Sequence, residues 1–93
     1  MRKAMDVRID GAGMVKVDTE KVASLLATFT GARYHGIYHY SGVTLSIRLT
    51  GVCGELNQHE VKAYTVGMLD AWGLEGNQVR VNAFDDRTGC QLP

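Results

Sequence analysis

The residues of this chain whose types and spacing come closest to chemistry are two histidines, His35 and His39, and a cysteine–histidine pair, Cys53 and His59. Four residues apart on a helix, two imidazoles share a face and can hold one metal ion. His35 and His39, however, lie in a segment with strand character, where that spacing separates their Cα atoms by roughly 13 Å. A single zinc ion, which needs nitrogen contacts near about 2.0–2.1 Å, cannot be reached by both. Cys53 precedes a predicted helix and His59 falls in its first turn. A thiolate so placed can be activated as a nucleophile, but no third residue stands at a recognisable spacing to orient the imidazole. A cysteine-dependent enzyme would show a reactive, low-pKa Cys53 in thiol labelling against pH. Glu55 and Glu60 form a carboxylate pair, yet Glu60 is better used in a helix cap. Asp85 and Asp86 offer oxygens to a divalent ion without the ligand ladder of a calcium loop. Fingerprints of a nucleophile elbow, phosphate loop, helical zinc pair or cofactor site do not occur. The chain therefore reads as non-enzymatic, with no catalytic residue, metal or cofactor assigned.

The histidines sit in a segment, 34–50, that reads as a β-hairpin. Val43, Leu45, Ile47 and Leu49 alternate with Thr44, Ser46, Arg48 and Thr50, the period of a strand with one buried face. Tyr34, Gly36, Tyr38 and Tyr40 share one parity of the preceding strand, and His35, Ile37 and His39 the other. Ser41-Gly42 is a plausible two-residue turn, with glycine supplying a positive φ. That turn pairs 40 with 43, 38 with 45, 36 with 47 and 34 with 49. Opposed residues point to one face, so the tyrosines are expected in the core and His35, Ile37, His39, Thr44, Ser46 and Arg48 outside. A slip of one residue would reverse the tyrosines. The run Arg33–Tyr40 also looks loosely like the aromatic strand of an RNA-recognition module, which stacks bases on an open sheet face. The expected register argues against that use.

The remaining elements follow from periodicity and caps. Met5, Val7 and Ile9 alternate with Asp6, Arg8 and Asp10. Gly11-Ala12-Gly13 reads as a hairpin loop that pairs Ile9 with Val15 and Val7 with Val17, and puts Arg8 opposite Lys16. Asp18 caps a helix over 19–30, with Val22, Leu25, Leu26 and Phe29 as its apolar stripe and Gly31 as its terminator. A second helix starts at Asn57 with Glu60 three residues on, a capping-box pattern, and Leu56 can staple to Val61. Its stripe is Val61, Tyr64, Met68, Leu69 and Trp72, and Gly73-Leu74 suits a Schellman ending. Gly67 costs about 1 kcal/mol in mid-helix and marks a close approach to the sheet or a second chain. Gly76-Asn77 is a turn, and Val79, Val81 and Ala83 alternate with Arg80, Asn82 and Phe84 in a last strand. The tail 85–93 lacks periodicity and is expected on the surface.

One apolar stripe per helix and one apolar face per strand give a two-layer α+β sandwich, an antiparallel sheet with two helices on one face. The element order reads ββαββαβ. A ferredoxin-like arrangement is one solution, but its first strand is central and leaves no neighbour for a hairpin partner. Either 4–17 is one long bulged strand or the strand order differs.

The 93 residues form one domain, 1–93, with ordinary composition: 45% apolar, 22% charged, ten basic residues against ten acidic. Zero net charge argues against nonspecific nucleic-acid or membrane binding and permits self-association. The start carries positive charge without an apolar run of signal length. Two cysteines are too few for a disulfide scaffold, though one bridge from Cys53 to Cys90 stays open. A cytoplasmic protein is the expectation.

The outer sheet face, with His35, Ile37, His39, Arg48, Arg80 and Phe84, is the expected binding surface. Ile37 and Phe84 would form an apolar centre within a polar rim. The first functional reading is a non-enzymatic protein-binding domain, a subunit or inhibitor of a larger complex, for example a small phage-type anti-CRISPR or other anti-defence protein. Its partner is an unidentified protein, or a second copy in a homodimer. The alternatives are a single-stranded nucleic-acid binder using Arg8, Arg48 and Arg80, and the cysteine enzyme above. With both histidines on the interface, association would weaken as pH falls from about 7.5 to 5.5.

Overall fold

The computed structural model describes residues 3–93. Met1 and Arg2, the start of the segment read for a leader, lie outside the described residues. Four strands and two helices follow in the order β1 (Lys3–Asp10), α1 (Thr19–Thr30), β2 (Tyr34–Tyr40), β3 (Thr44–Val52), α2 (Gln58–Ala71) and β4 (Gln78–Asp85). All neighbouring strands run antiparallel, in the spatial order β2-β3-β1-β4. The βαββαβ order with β1 and β3 central is the arrangement of a split βαβ, or ferredoxin-like, sandwich.

The inner face of the sheet is supplied by alternate residues. Met5, Val7 and Ile9 of β1, Leu45, Ile47 and Leu49 of β3, and Val79, Val81 and Ala83 of β4 are all buried. They form one cluster with Val22, Ala23 and Leu26 of α1 and Val61, Met68 and Leu69 of α2. Both helices therefore cover the same face. Phe29 and Tyr64 close the seam between them, stacked 4.1 Å apart at 9°.

The second strand expected at 14–17 does not form. Ala12–Lys16 is a 3-10 helix that buries Met14 and leaves Val15 66% exposed. The physical reason is topological: Ile9 already pairs with Leu45 on one side and Val79 on the other. With both edges of β1 taken, no edge remains for a hairpin partner, and Arg8 lies opposite Arg80 rather than Lys16.

The helix ends match their signals. Asp18 accepts from the Lys21 N–H, and Gly31 closes α1 at φ 67°. Asn57 and Glu60 make both bonds of the capping box. Leu74 N–H donates to Leu69 O at 2.9 Å and Gly73 N–H to Asp70 O at 3.0 Å, the two bonds of a Schellman ending. Replacing Asn57 with alanine strips one of these caps and is expected to cost about 1 kcal/mol, read as a lower urea midpoint with unchanged slope. Gly67 does not mark a close approach to the sheet, since a Cβ there would meet nothing within 4 Å.

The tail is tied back rather than loose. Phe84 bridges to Gln91, and Leu92 N–H donates to Ala83 O at 2.7 Å. Cys53 and Cys90 are both free and exposed in this structure. Among the described residues no helix is long and apolar enough to cross a membrane.

Candidate binding face of the sheet

The hairpin register differs from the sequence expectation in two places. The chain reverses through Gly42-Val43 rather than Ser41-Gly42, with Gly42 at φ 86° and Ser41 N–H bonded to Thr44 O at 3.0 Å. Glycine first, with no second positive φ, is the pattern of a type II′ turn. This moves the partner of Tyr40 from Val43 to Leu45, a shift of two, which leaves every face unchanged. A β-bulge between Ile37 and His39 then takes up one extra residue. Beyond it the pairs are Ile37 with Ile47, Gly36 with Arg48, His35 with Leu49 and Tyr34 with Thr50.

The bulge reverses half of the strand. Tyr34 and Tyr38, expected in the core, are 73% and 69% exposed. Tyr38 lies over the outer face, its ring centroid 5.1 Å from the Arg48 guanidinium carbon. Tyr40 stays on the inner side at the rim, where its hydroxyl donates to Met14 O at 2.9 Å. His35 and Ile37, expected on the outer face, oppose the buried Leu49 and Ile47 and so point to the inner side of the sheet, where Ile37 packs against the core and His35 stays exposed at the edge. Of the expected surface residues, His39, Arg48, Arg80 and Phe84 share the outer face. His39 opposes Ser46, and Phe84 opposes Ala4. Ile37 and Phe84 are on opposite faces and cannot form one apolar centre. With a single imidazole left on the outer face, the paired-histidine basis for pH-dependent association is gone.

Sequence reasoning missed Tyr34 and Tyr38. The structure turns both Ile37 and Tyr40 inward, three residues apart, which a regular strand cannot do. The extra residue between them is Tyr38, and no residue of the sequence announces it.

The charges of the outer face are arranged around the central strand β1. Arg48 grips Asp6 with two bonds, Nε to Oδ1 at 2.7 Å and Nη2 to Oδ2 at 2.8 Å. The bond to Asp6 raises the Arg48 pKa further. Asp10 accepts from the Thr44 hydroxyl at 2.7 Å and from Arg8 Nε at 3.1 and 3.2 Å. The Thr44 hydroxyl chiefly holds the Asp10 carboxyl below its usual range; desolvation opposes it, and Arg8 adds a further lowering. Arg80 forms no ion pair among the described residues; its Nη2 reaches Gln78 Oε1 at 3.4 Å. Beside these charges, Ala4, Arg48, Thr50, Phe84, Asp85, Asp86 and Gly89 line a surface depression of about 270 Å³.

The lowered Asp10 pKa has a defined sign. A carboxyl whose folded pKa is depressed contributes stability above its unfolded pKa and loses it as pH falls through the folded value. Asp10→Asn is therefore expected to melt below the wild type at neutral pH. The two melting curves should converge below about pH 4, the ordinary aspartate range. A constant gap down to pH 2 would contradict the assignment.

The other candidate groups have structural work. Asp85 Oδ1 accepts from the Arg87 and Thr88 N–H groups at 2.8 and 3.2 Å, closing the turn after β4. Asp86 Oδ2 accepts from Gly51 N–H at 3.3 Å. Glu60 is spent in its cap. Among the described residues no three His, Cys, Asp or Glu side chains gather as a metal-binding group.

Comparison of the chain with protein-family models, with curated proteins and with solved structures finds no match. The class of object is thus set by its own geometry: a ferredoxin-like α+β sandwich in which the described residues leave one face of the sheet open.

Proposed function

We propose that this chain is a non-enzymatic protein-binding domain, a subunit or inhibitor of a larger complex, that docks the open face of its sheet onto a protein partner. The observation that carries this reading is the exposed pair Tyr34 and Tyr38 beside an Arg48 already neutralised by Asp6. Tyrosine and arginine are the residue types that concentrate binding energy at protein interfaces. The depression lined by Arg48 and Phe84 offers a socket for one anchoring side chain of the partner. Asp6 and Asp10 hold two of the three outer arginines and present carboxylates along the central strand, which disfavours a phosphate backbone over a protein surface.

A second reading, binding of single-stranded nucleic acid on the same face, is favoured by one specific observation. The bulge exposes the tyrosines that a regular strand would bury, and stacked bases are held by such rings. This reading requires affinity that falls steeply with salt and depends on Arg8, Arg48 and Arg80.

Affinity capture from host lysate, with and without nuclease treatment, separates the two. A stoichiometric protein retained after nuclease supports protein docking. Recovery that depends wholly on intact nucleic acid would sink it in favour of the second reading.

A further inference from the structure

We propose that the groove between the start of α1 and the end of α2 is a binding site for a small aromatic monoanion, a ring bearing one carboxylate. Lys16, Val17, Asp18, Lys21, Trp72 and Leu74 line an open cavity of about 350 Å³. That lies at the lower end of small-molecule sites, roughly 300–1,000 Å³. The lining comes from three parts of the chain. Lys16 ends the 3-10 helix, Asp18 and Lys21 open α1, and Trp72 and Leu74 belong to the Schellman ending of α2. Caps and turns therefore fix the walls. Both helices cover the inner side of the sheet, so the groove is separate from the open face and does not depend on what docks there.

The charges define the sign of the ligand. Lys16 and Lys21 are exposed, and neither forms an ion pair among the described residues. Asp18 is the one acidic residue of the lining, and its Oδ1 accepts from the Lys21 N–H at 3.2 Å as the cap of α1. Two ammonium groups against one carboxylate leave a single positive charge in the groove. A monoanion complements that charge, whereas a cation is repelled.

The apolar lining defines the body of the ligand. Val17, Trp72 and Leu74 are half-buried and pack against the core. Lys21 Nζ stands 5.3 Å from the Trp72 ring centroid, so cation–π attraction holds an ammonium beside the indole. A ligand lying along Val17, Trp72 and Leu74 brings its carboxylate to Lys21 and Lys16. An aromatic body fits better than an aliphatic one, because offset or edge-on rings attract beyond the area they bury.

Titration of isotope-labelled protein with phenylacetate, followed by proton–nitrogen correlation spectra, tests this. Trp72 is the only tryptophan and gives a single indole N–H resonance. That resonance should shift saturably at millimolar phenylacetate or below. Phenylacetamide, the neutral amide of the same shape, should bind about tenfold more weakly, the effect of losing one charge-assisted contact. Lys16→Gln/Lys21→Gln should weaken phenylacetate by a similar factor and leave phenylacetamide unchanged. Both lysines are exposed, so the fold is expected to survive, and the backbone resonances of the variant check it. No saturable shift, equal binding of acid and amide, or an unchanged affinity in the double variant would overturn the proposal. A shift caused by a captured protein partner and not by phenylacetate would also overturn it, and would make the groove a protein-docking surface.

Discussion

Alanine at Gly11 destabilises the domain by about 1–3 kcal/mol, the usual cost of forcing atoms into filled space. In a domain of this size each kcal/mol lowers Tm by about 4–8 °C. Gly11 is extended, at φ 160°, so its constraint is space and not backbone angle. A Cβ there would overlap Asn77 Oδ1 and stand 3.2 Å from Asn77 Cα. The neighbours cannot easily give way. Gly11 N–H is bonded to Val43 O at 2.8 Å, and Asn77 is anchored by its Nδ2 bond to Leu74 O at 3.0 Å. Asn77 Oδ1 is itself buried without a hydrogen-bond partner, so trimming Asn77 loses one bond and relieves one orphan. Gly11→Ala/Asn77→Ala should therefore recover much of the lost Tm. Gly36→Ala is the internal control. Its Cβ meets open space, and it should be neutral or raise monomer stability by up to about 1 kcal/mol through the unfolded chain. Equal losses at the two glycines in thermal melts would contradict this packing.

Alanine at Tyr38 is expected to weaken partner binding about thirtyfold, the effect of losing about 2 kcal/mol at an interface hot spot. The ring is 69% exposed and makes its aromatic contact with Arg48, so its loss leaves the core intact. Arg48→Ala should cost a comparable amount for a different reason. It removes a guanidinium and also frees the Asp6 carboxylate to face the partner unpaired. The two effects should be less than additive, because Tyr38 and Arg48 touch. Calorimetric titration of the captured partner against the single and double variants measures this coupling. Strict additivity would mean that the pair does not act as one contact.

Most of the architecture was legible because it rests on local chemistry. The N-caps at Asp18 and Asn57, the glycine terminators at Gly31 and Gly73, and the alternation of Val79, Val81 and Ala83 each state an element in a few residues. The failures came where a long-range competitor decided. Val15 and Val17 have strand-like spacing, but β3 and β4 had already claimed both sides of β1. The β2 face was lost at Tyr38, where neither glycine nor proline announces the bulge. A single glycine, Gly42, fits either of two turns that differ by one residue. The candidate face was therefore half legible. His39, Arg48, Arg80 and Phe84 follow from alternation alone, whereas Tyr34 and Tyr38 require the bulge. Arg48 could be placed from β3, yet its partners Asp6 and Tyr38 come from β1 and β2 and depend on register.

The claim that the open sheet face is the docking surface is tested most directly by capturing the partner with two matched variants. One carries Tyr34→Ala, Tyr38→Ala and Arg48→Ala on the sheet. The other carries Lys62→Ala and Val66→Ala on the exposed side of α2. The sheet variant should lose the partner and the helix variant should keep it. Loss from the helix variant with retention by the sheet variant would contradict the account and move the binding surface to the other side of the molecule.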